Sequence, residues 1–131
     1  MDTCFIIIKP TVNLVKVLAA TLTLLDQSNL QITRMSIRQK NEYWYRLMYA
    51  HVPSEVFKNM EAYLLGDHLI GIQVWGENAV AACKNIKHLI RSQFADTNIT
   101  YRNVIHTSDS PDTAYWEANY FFAGGLDAQQ N

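Results

Sequence analysis

Several features of common protein classes are missing from this chain. Its 131 residues include only two cysteines, Cys4 and Cys83, with no C-x-x-C pair and no histidine at metal-ligand spacing. This excludes a disulfide framework or zinc ribbon and favours two reduced packing residues. The first residues carry a short apolar run with no basic region before it, and no apolar run is long enough to span a membrane. We therefore expect no signal peptide, no membrane association and a cytoplasmic location.

Charge of one sign and glycine-rich phosphate loops are also lacking. Eleven Lys and Arg residues against 12 Asp and Glu residues give a net charge of −1. There is no basic field of the kind that attracts nucleic acid, so we expect no specific nucleic-acid partner. Neither G-x-x-x-x-G-K-[ST] nor G-x-G-x-x-G occurs. If the protein handles nucleotides, side chains must bind the phosphates.

What is present fits one globular domain. The apolar fraction is 49% and the charged fraction 18%, which is typical of soluble domains. The length suffices for one sizeable core and not for two ordinary ones. With no internal repeat or linker, we predict a single domain over residues 1–122. Residues 123–131 are rich in Gly, Gln and Asn and are predicted to form a mobile tail.

Hydrophobic periodicity predicts alternating strands and helices. The predicted strands are 3–8, 30–38, 68–75 and 99–106, and the predicted helices are 12–25, 41–49, 53–65, 79–89 and 110–122. An irregularity is expected near Thr33 and Arg34, where the alternation slips. This order predicts an α+β sandwich of ferredoxin-like type, with a four-stranded antiparallel sheet and helices packed on one of its faces.

The segment from Asn103 to Ser110 is the first candidate site. His106 follows two apolar β-branched residues and precedes Ser108 and Asp109, which start and cap helices well. It would therefore lie at a strand-to-helix junction, where an anion can meet helix N–H groups. Neutral histidine is also a nucleophile toward phosphorus. The alternative is a partly buried structural histidine before a capped helix.

Candidate phosphate-binding cations occur in two places. Lys9 ends the first strand and is expected to emerge at the sheet edge, either as a surface lysine or beside His106. Lys84, Lys87 and Arg91 are spaced by three and four residues, so they share one helix face. That face is either a solvated cationic surface or a clamp for a polyphosphate.

Two aromatic residues and one carboxylate complete the candidates. Tyr49 and Phe57 flank a helical connection and are either core residues or the walls of a cleft in which a nucleobase stacks. Glu117 lies two turns into the last predicted helix. It is either a solvated glutamate or a carboxylate that reaches back, accepts the proton of one His106 ring nitrogen and leaves the other free.

Three segments together resemble the nucleoside diphosphate kinase family. They are Phe5-Ile6-Ile7-Ile8-Lys9-Pro10, Gly76-Glu77-Asn78-Ala79-Val80 and Asn103-Val104-Ile105-His106-Thr107-Ser108-Asp109-Ser110. The resemblance spans about residues 3 to 122, and its most specific element is N-x-x-H-[GA]-S-D-S, with Thr107 at the small position. Glu117, eleven residues after His106, also matches the family.

The resemblance implies a reaction and a set of roles. His106 would take the γ-phosphoryl group from a nucleoside triphosphate and give it to a diphosphate in a ping-pong cycle. Glu117 would orient His106 with support from Ser108, and Lys9 would hold the phosphoryl oxygens. Nucleotide contacts would come from Tyr49 and Phe57 near the base, Lys84 and Arg91 at the phosphates, and Asn103 at the sugar. Mg²⁺ on the nucleotide and a homo-oligomer are implied as well; no metal ligand is assigned to the protein.

This chain departs from the family in three places. Thr11 and Val12 follow Lys9-Pro10 where the family has Asp-Gly. The segment between Lys84 and Arg91 is shorter than in the family, and Lys84 stands at an arginine position. A forked donor is thereby replaced by a point charge. These departures leave open a catalytically degenerate nucleotide-binding or scaffolding relative. A small regulatory domain that binds another metabolite at its strand ends is a further alternative.

Overall fold

The computed structural model describes residues 1–64, 67–95 and 103–128. Four strands and five helices lie in these ranges, in the order β1 (Asp2–Ile8), α1 (Leu14–Gln27), β2 (Gln31–Gln39), α2 (Glu42–Met48), α3 (Ser54–Leu64), β3 (His68–Gly76), α4 (Ala79–Phe94), β4 (Ile105–Thr107) and α5 (Pro111–Phe122). Within these ranges, every helix is too short or too polar to cross a membrane.

The strands form one sheet in the order β2-β3-β1-β4, with every neighbouring pair antiparallel. β1 lies inside the sheet, where Cys4 pairs with Val74 of β3 and Ile7 pairs with His106 of β4. The predicted ferredoxin-like α+β sandwich is confirmed. The irregularity expected in β2 is confirmed too, since the register with β3 shifts between Ile32 and Arg34.

The helices cover both faces of the sheet, so the prediction of a single covered face is wrong. Cys4, Ile6 and Ile8 of β1 pack in a cluster with buried residues of α1 and α4. Phe5 and Ile7, which alternate with them, pack in a second cluster with residues of α2 and α5. Both faces of β1 are therefore buried. This explains its continuous apolar run, because a strand buried on both faces cannot alternate apolar and polar residues.

Two predicted boundaries are corrected around the candidate site. Helix α4 continues to Phe94 instead of ending near residue 89, because Ile90 is buried and Arg91 bonds the carbonyl oxygen of Ile105. Strand β4 begins at Ile105, so Asn103 and Val104 of the predicted strand do not belong to it. Val104 has φ +63°, a left-handed conformation that departs from regular strand geometry and is strained for a β-branched residue. Residues 99–102 of the predicted strand lie outside the described residues.

The segment after α5 makes specific contacts, although residues 123–131 were predicted to be mobile. The backbone N–H of Asn41 donates to Leu126 O at 2.9 Å, and Ala128 N–H donates to Gln39 O at 2.7 Å. Asp127 accepts hydrogen bonds from Arg38 and Lys40. Residues 124–128 are therefore anchored to the end of β2 and the start of α2, while residues 129–131 lie outside the described part of the chain.

Candidate active site

A backbone turn at Val104 brings the C-terminal end of β1 beside the start of β4. The N–H of Lys9 donates to Val104 O at 2.8 Å, and the N–H of Ile105 donates to Asn103 O at 2.8 Å. This turn places Asn103 beside Lys9 and starts β4, on which His106 pairs with Ile7 of the central strand. The strained residue thus joins two candidate groups that are far apart in sequence.

His106 forms a close pair with Glu117. The imidazole Nε2 lies 3.1 Å from Glu117 Oε1 and 3.0 Å from Oε2. A carboxylate accepts hydrogen bonds, so the tautomer that fits this pair is the one in which Nε2 donates, and in that neutral tautomer Nδ1 keeps its lone pair. No hydrogen bond occupies Nδ1 among the described residues. Glu117 therefore orients the imidazole through Nε2, and among the described residues Nδ1 is free.

The position of Glu117 follows from the start of α5. Ser110 caps this helix by accepting a hydrogen bond from the N–H of Thr113 at 3.1 Å, and Pro111 occupies its first turn. Two turns later Glu117 is buried, with 6% of its surface exposed. Ser108 Oγ donates to Glu117 Oε1 at 2.6 Å, and the N–H of Ser108 is tied to Phe5 O at 3.0 Å. The carboxylate is thus held from two sides.

Lys9 is a buried cation without a carboxylate partner. Only 4% of its surface is exposed, which corrects the expected position at the sheet edge. Its Nζ donates to Asn103 Oδ1 at 2.9 Å and lies 5.7 Å from the centroid of the Tyr49 ring. No carboxylate of the described residues lies within 4 Å of Nζ. Burial, and secondarily the charge of Arg91, lower the pKa of Lys9 to about 7.

A cleft of about 550 Å³ opens over His106. Arg91 lines it and is held there by donating from Nε and Nη2 to Ile105 O at 3.2 and 2.9 Å. Lys87, one helical turn earlier, also lines it. Burial raises the pKa of the Tyr49 hydroxyl, which therefore stays a hydrogen-bond donor in the cleft. Cations and donors around an unprotonated ring nitrogen suit a polyanionic substrate.

Seven of the nine residues singled out from the sequence meet at or beside this cleft. His106, Glu117, Tyr49 and Arg91 line it, and Ser108, Lys9 and Asn103 adjoin these residues through the contacts above. Lys84 and Phe57 do not line the cleft. Lys84 is exposed on α4, and Phe57 packs against the apolar cluster of α2 and α5.

Other lining residues were given no role from the sequence. Lys87 was one of three candidate cations on a shared helix face, and that spacing alone did not separate it from Lys84. Trp116, Thr113 and Asp109 also line the cleft. Asp109 belongs to the motif around His106, whereas no sequence signal marked Thr113 and Trp116, because their orientation depends on how α5 packs on the sheet.

Protein ligands for a metal ion are scarce here. No group of three His, Cys, Asp or Glu side chains within the described residues is arranged to hold one. Asp109 and Glu117 are the carboxylates among the residues that line the cleft, and Glu117 is engaged by His106 and Ser108. A divalent cation at this site would have to be bound mainly by the substrate phosphates.

Comparison with known proteins identifies the family. The profile of the nucleoside diphosphate kinase family matches residues 2–125. A nucleoside diphosphate kinase of Roseiflexus castenholzii is 29% identical over 133 residues, which cover 93% of this chain and 88% of the relative. That of Methanobrevibacter smithii is 26% identical over 127 residues, covering 90% of this chain and 85% of the relative.

Solved structures agree with the fold. The nucleoside diphosphate kinase of Encephalitozoon cuniculi superposes with a TM-score of 0.78 at 18% identity, covering 99% of this chain and 95% of that one. The Aquifex aeolicus enzyme gives a TM-score of 0.76 at 21% identity, with coverage of 97% and 99%. The family match spans nearly the whole chain and includes every residue of the His106 cleft, so the chain belongs to the nucleoside diphosphate kinase family.

Proposed function

We propose that this nucleoside diphosphate kinase moves the γ-phosphoryl group of a nucleoside triphosphate to a nucleoside diphosphate through phospho-His106. The single observation that carries the proposal is the pairing of His106 Nε2 with a buried, doubly held carboxylate, which leaves Nδ1 free beside a cationic cleft. The family match supports the phosphotransferase activity and does not favour a degenerate nucleotide-binding or scaffolding relative.

The proposed reaction consists of two half-reactions, each of which transfers one phosphoryl group. The Nδ1 lone pair attacks the γ-phosphorus, an N–P bond forms, and the bond to the bridging oxygen breaks so that a diphosphate leaves. A terminal phosphate oxygen of a second diphosphate then attacks the same phosphorus, and the N–P bond breaks. Glu117 keeps the Nε2 proton in place throughout and stabilises the positive charge that develops on the ring.

The cations of the cleft supply the electrostatic part of catalysis. Phosphoryl transfer depends mainly on positioning and on stabilising charge at the phosphate oxygens. Lys9, which has no carboxylate within 4 Å among the described residues, binds an oxygen of the transferring group. Arg91 and Lys87 bind the other phosphates, and the Tyr49 hydroxyl donates to them from the floor of the cleft. We assign Lys87 the place first given to Lys84, because Lys87 lines the cleft and Lys84 does not.

The sugar and base have less defined partners. Asn103 accepts from Lys9 through Oδ1, so its amide N–H groups remain to donate to a sugar hydroxyl. Phe57 is partly buried against the α2–α5 cluster, and its ring is the candidate contact for the base. Such a contact tolerates any base, because every base presents a π face. Broad base specificity is expected.

Magnesium enters this scheme as part of the substrate. Mg²⁺ prefers phosphate oxygens and water to an all-protein cage, and the cleft offers it one carboxylate that is not already engaged, that of Asp109. The Mg²⁺ nucleotide complex is therefore the expected substrate. A cytoplasmic location fits the two free, buried cysteines, which need no oxidising compartment.

A homo-oligomer is supported by an exposed apolar face of β2. Ile32, Met35 and Ile37 pair with Val74, Ile72 and Ile70 of β3, which belong to the core cluster under α1 and α4. Residues directly opposite in an antiparallel pair share a face, yet these three side chains are exposed at 43%, 51% and 63%. An exposed apolar strip of this kind marks an interface. We expect Met35→Glu to yield monomers in sedimentation experiments, while Leu89→Glu, at an exposed leucine on α4, leaves the assembly intact.

Exchange kinetics test the activity. The wild-type chain is expected to make GTP from ATP and GDP with Mg²⁺, with parallel lines in double-reciprocal plots because a covalent intermediate separates the two substrates. His106→Ala should abolish the exchange, and His88→Ala, on the exposed side of α4, should retain it. Absence of exchange by the wild type, with nucleotide binding intact in calorimetry, would instead support the scaffolding relative.

A further inference from the structure

A second pocket lies on the sheet away from His106. It has a volume of about 480 Å³ and sits between β2, β3 and the outer side of α5. Arg34, Trp75 and Tyr115 line it, together with Gln73 and Asn119, and none of these residues lines the His106 cleft. The phosphate site described above therefore does not account for it.

The guanidinium of Arg34 is held in this pocket by neutral groups alone. Its Nε donates to Gln73 Oε1 at 2.7 Å and its Nη2 donates to Asn119 Oδ1 at 3.1 Å. Its plane lies over the Phe122 ring, with Cζ 4.4 Å from the centroid. No carboxylate of the described residues is within 4 Å. The two hydrogen bonds fix the guanidinium in place, and no carboxylate of the described part of the chain neutralises its charge.

The orientation of Gln73 is also fixed. The hydroxyl of Thr3 donates to Val74 O at 2.9 Å, so its oxygen accepts from Gln73 Nε2 at 3.2 Å. The amide oxygen of Gln73 must then face Arg34. Gln73 and Thr3 are both buried. This relay sets the guanidinium of the exposed Arg34 at a defined position on the pocket wall, which is what preorganised anion recognition requires.

An arginine that bonds uncharged oxygens also occurs at the His106 cleft. Of the four arginines in the described residues, Arg38 and Arg46 pair with carboxylates. Arg91 and Arg34 instead bond uncharged oxygens. Arg91 lines the His106 cleft, and Arg34 lines the second pocket beside two exposed aromatic rings, Trp75 at 41% and Tyr115 at 63%. Aromatic faces bind flat rings, and an unpaired guanidinium binds an oxyanion.

We propose that Arg34, Trp75 and Tyr115 form a second ligand site, which takes a planar aromatic ring bearing a carboxylate or phosphate group. The guanidinium binds the oxyanion through its remaining N–H donors, and the ring lies against the aromatic side chains. The site needs neither the free nitrogen of His106 nor Lys9, so it stands or falls independently of phosphoryl transfer.

Indole N–H signals in a heteronuclear NMR titration distinguish the two sites, because Trp75 lines the second pocket and Trp116 lines the His106 cleft. Phenyl phosphate and benzoate serve as probes and show which oxyanion is preferred. We expect at least one of them to shift the Trp75 signal saturably, with inorganic phosphate at least about tenfold weaker because it lacks the ring.

Two variants test the wall of the pocket. Arg34→Gln should weaken the Trp75 response at least about tenfold, as expected for loss of a charge-assisted bond, and Arg38→Gln on the same strand should not. The signal of buried Trp44 reports whether the fold is kept. Should Arg34→Gln not fold, Tyr115→Ala, at an exposed position, should still weaken binding. A Trp75 signal unmoved by both aromatic probes, or a response retained in Arg34→Gln, would overturn the proposal.

Discussion

Lys9 and Lys40 are two buried lysines, and of the two only Lys40 has a counterion among the described residues. Lys40 is fully buried, and its Nζ donates to Asp127 Oδ1 at 2.6 Å and to the carbonyl oxygen of Phe121. Lys9 donates to the neutral oxygen of Asn103 and has no carboxylate among the described residues within reach. Burial lowers the pKa of both lysines, but at Lys40 Asp127 opposes the shift, whereas at Lys9 Arg91 adds to it.

The difference separates a structural charge from a functional one. The counterion of Lys40 comes from residues 124–128, which fasten the end of the chain to β2 and α2. A buried charge without a counterion costs free energy, and Lys9 carries that cost in the free protein. In the proposed function, a phosphate that enters the cleft would remove this cost, so part of the substrate's binding free energy would come from relieving it. We therefore propose that the charge of Lys9 gains its partner when the substrate binds.

The largest effect is expected from replacing Lys9, with the replacement of Lys40 as the comparison. Lys9→Met should lower the rate of phosphoryl transfer at least about 100-fold, because the developing charge on the phosphate loses the cation that we assign to it. It should also raise the free energy of unfolding at pH 7, since an unpaired buried charge is gone. Lys40→Met should retain transfer. Equal losses of activity in both variants, measured as kcat/KM, would remove the distinction between the two sites.

Breaking the Lys40–Asp127 ion pair tests whether the charge of Lys40 has a structural role. Asp127→Asn leaves Lys40 buried beside an amide and should cost about 3 kcal/mol of stability, the scale for removing one partner of a buried pair. Urea unfolding measures this cost. The matched control is Glu42→Gln, which breaks the exposed Arg46–Glu42 pair at 3.6 Å and should change stability by about 0.5 kcal/mol or less. If Asp127→Asn is as stable as this control, residues 124–128 do not anchor the chain.

Two lysines on α4 sharpen the comparison further. Lys87 lines the cleft without a carboxylate within 4 Å among the described residues, whereas Lys84 is exposed outside it. Lys87→Gln should raise the KM for the diphosphate about tenfold, which corresponds to one charge-assisted bond. Lys84→Gln should leave KM near the wild-type value. The reverse order would return the phosphate contact to Lys84 and contradict the geometry of the cleft.

The smallest expected effect is the uptake of a proton when the nucleotide binds. With its pKa lowered to about 7 by burial and then by Arg91, Lys9 is largely neutral at pH 8 in the free protein. A bound phosphate favours the charged form of Lys9. Binding of ADP at pH 8 should therefore be accompanied by uptake of up to about one proton per protein molecule. Calorimetry in buffers of different ionisation enthalpy measures this uptake, which should vanish in Lys9→Met.

The same shift predicts how stability depends on pH. Between the lowered pKa of about 7 and the ordinary value of a lysine, the unfolded chain binds one more proton than the folded one. The free energy of unfolding therefore rises with pH across this range. Relative to Lys9→Met, the wild type should gain stability from pH 7 to pH 9. A difference that is independent of pH would show that Lys9 does not titrate in this range.

Local patterns in the sequence were sufficient to predict most of the architecture. The continuous apolar run of β1, the Ser110 cap and the periodicity of α1 each specify one element through short-range rules. Pairing of His106 with Glu117 followed from helix periodicity together with the family motif. The covering of both sheet faces did not follow, although the unbroken apolar run of β1 was the signal for it.

Other features depend on long-range packing that no local pattern encodes. The left-handed turn at Val104 shortened β4, and a β-branched residue gives no local sign of positive φ. The burial of Lys9 and Lys40 depends on Asn103 and Asp127, which lie 94 and 87 residues away in sequence. The choice between Lys84 and Lys87 required the position of α4 relative to β4.

The most direct test is to locate the phosphoryl group on the protein. After brief incubation with Mg²⁺ and ATP, the intact chain should carry one phosphoryl group, which fragmentation places on His106 and phosphorus–proton NMR places on Nδ1. GDP should remove it. We expect Nδ1 and not Nε2 to be the attachment point, because Nε2 lies 3.0 Å from Glu117 Oε2. Phosphorus on Nε2 or on another residue, or no phosphorylation at all, would contradict the account.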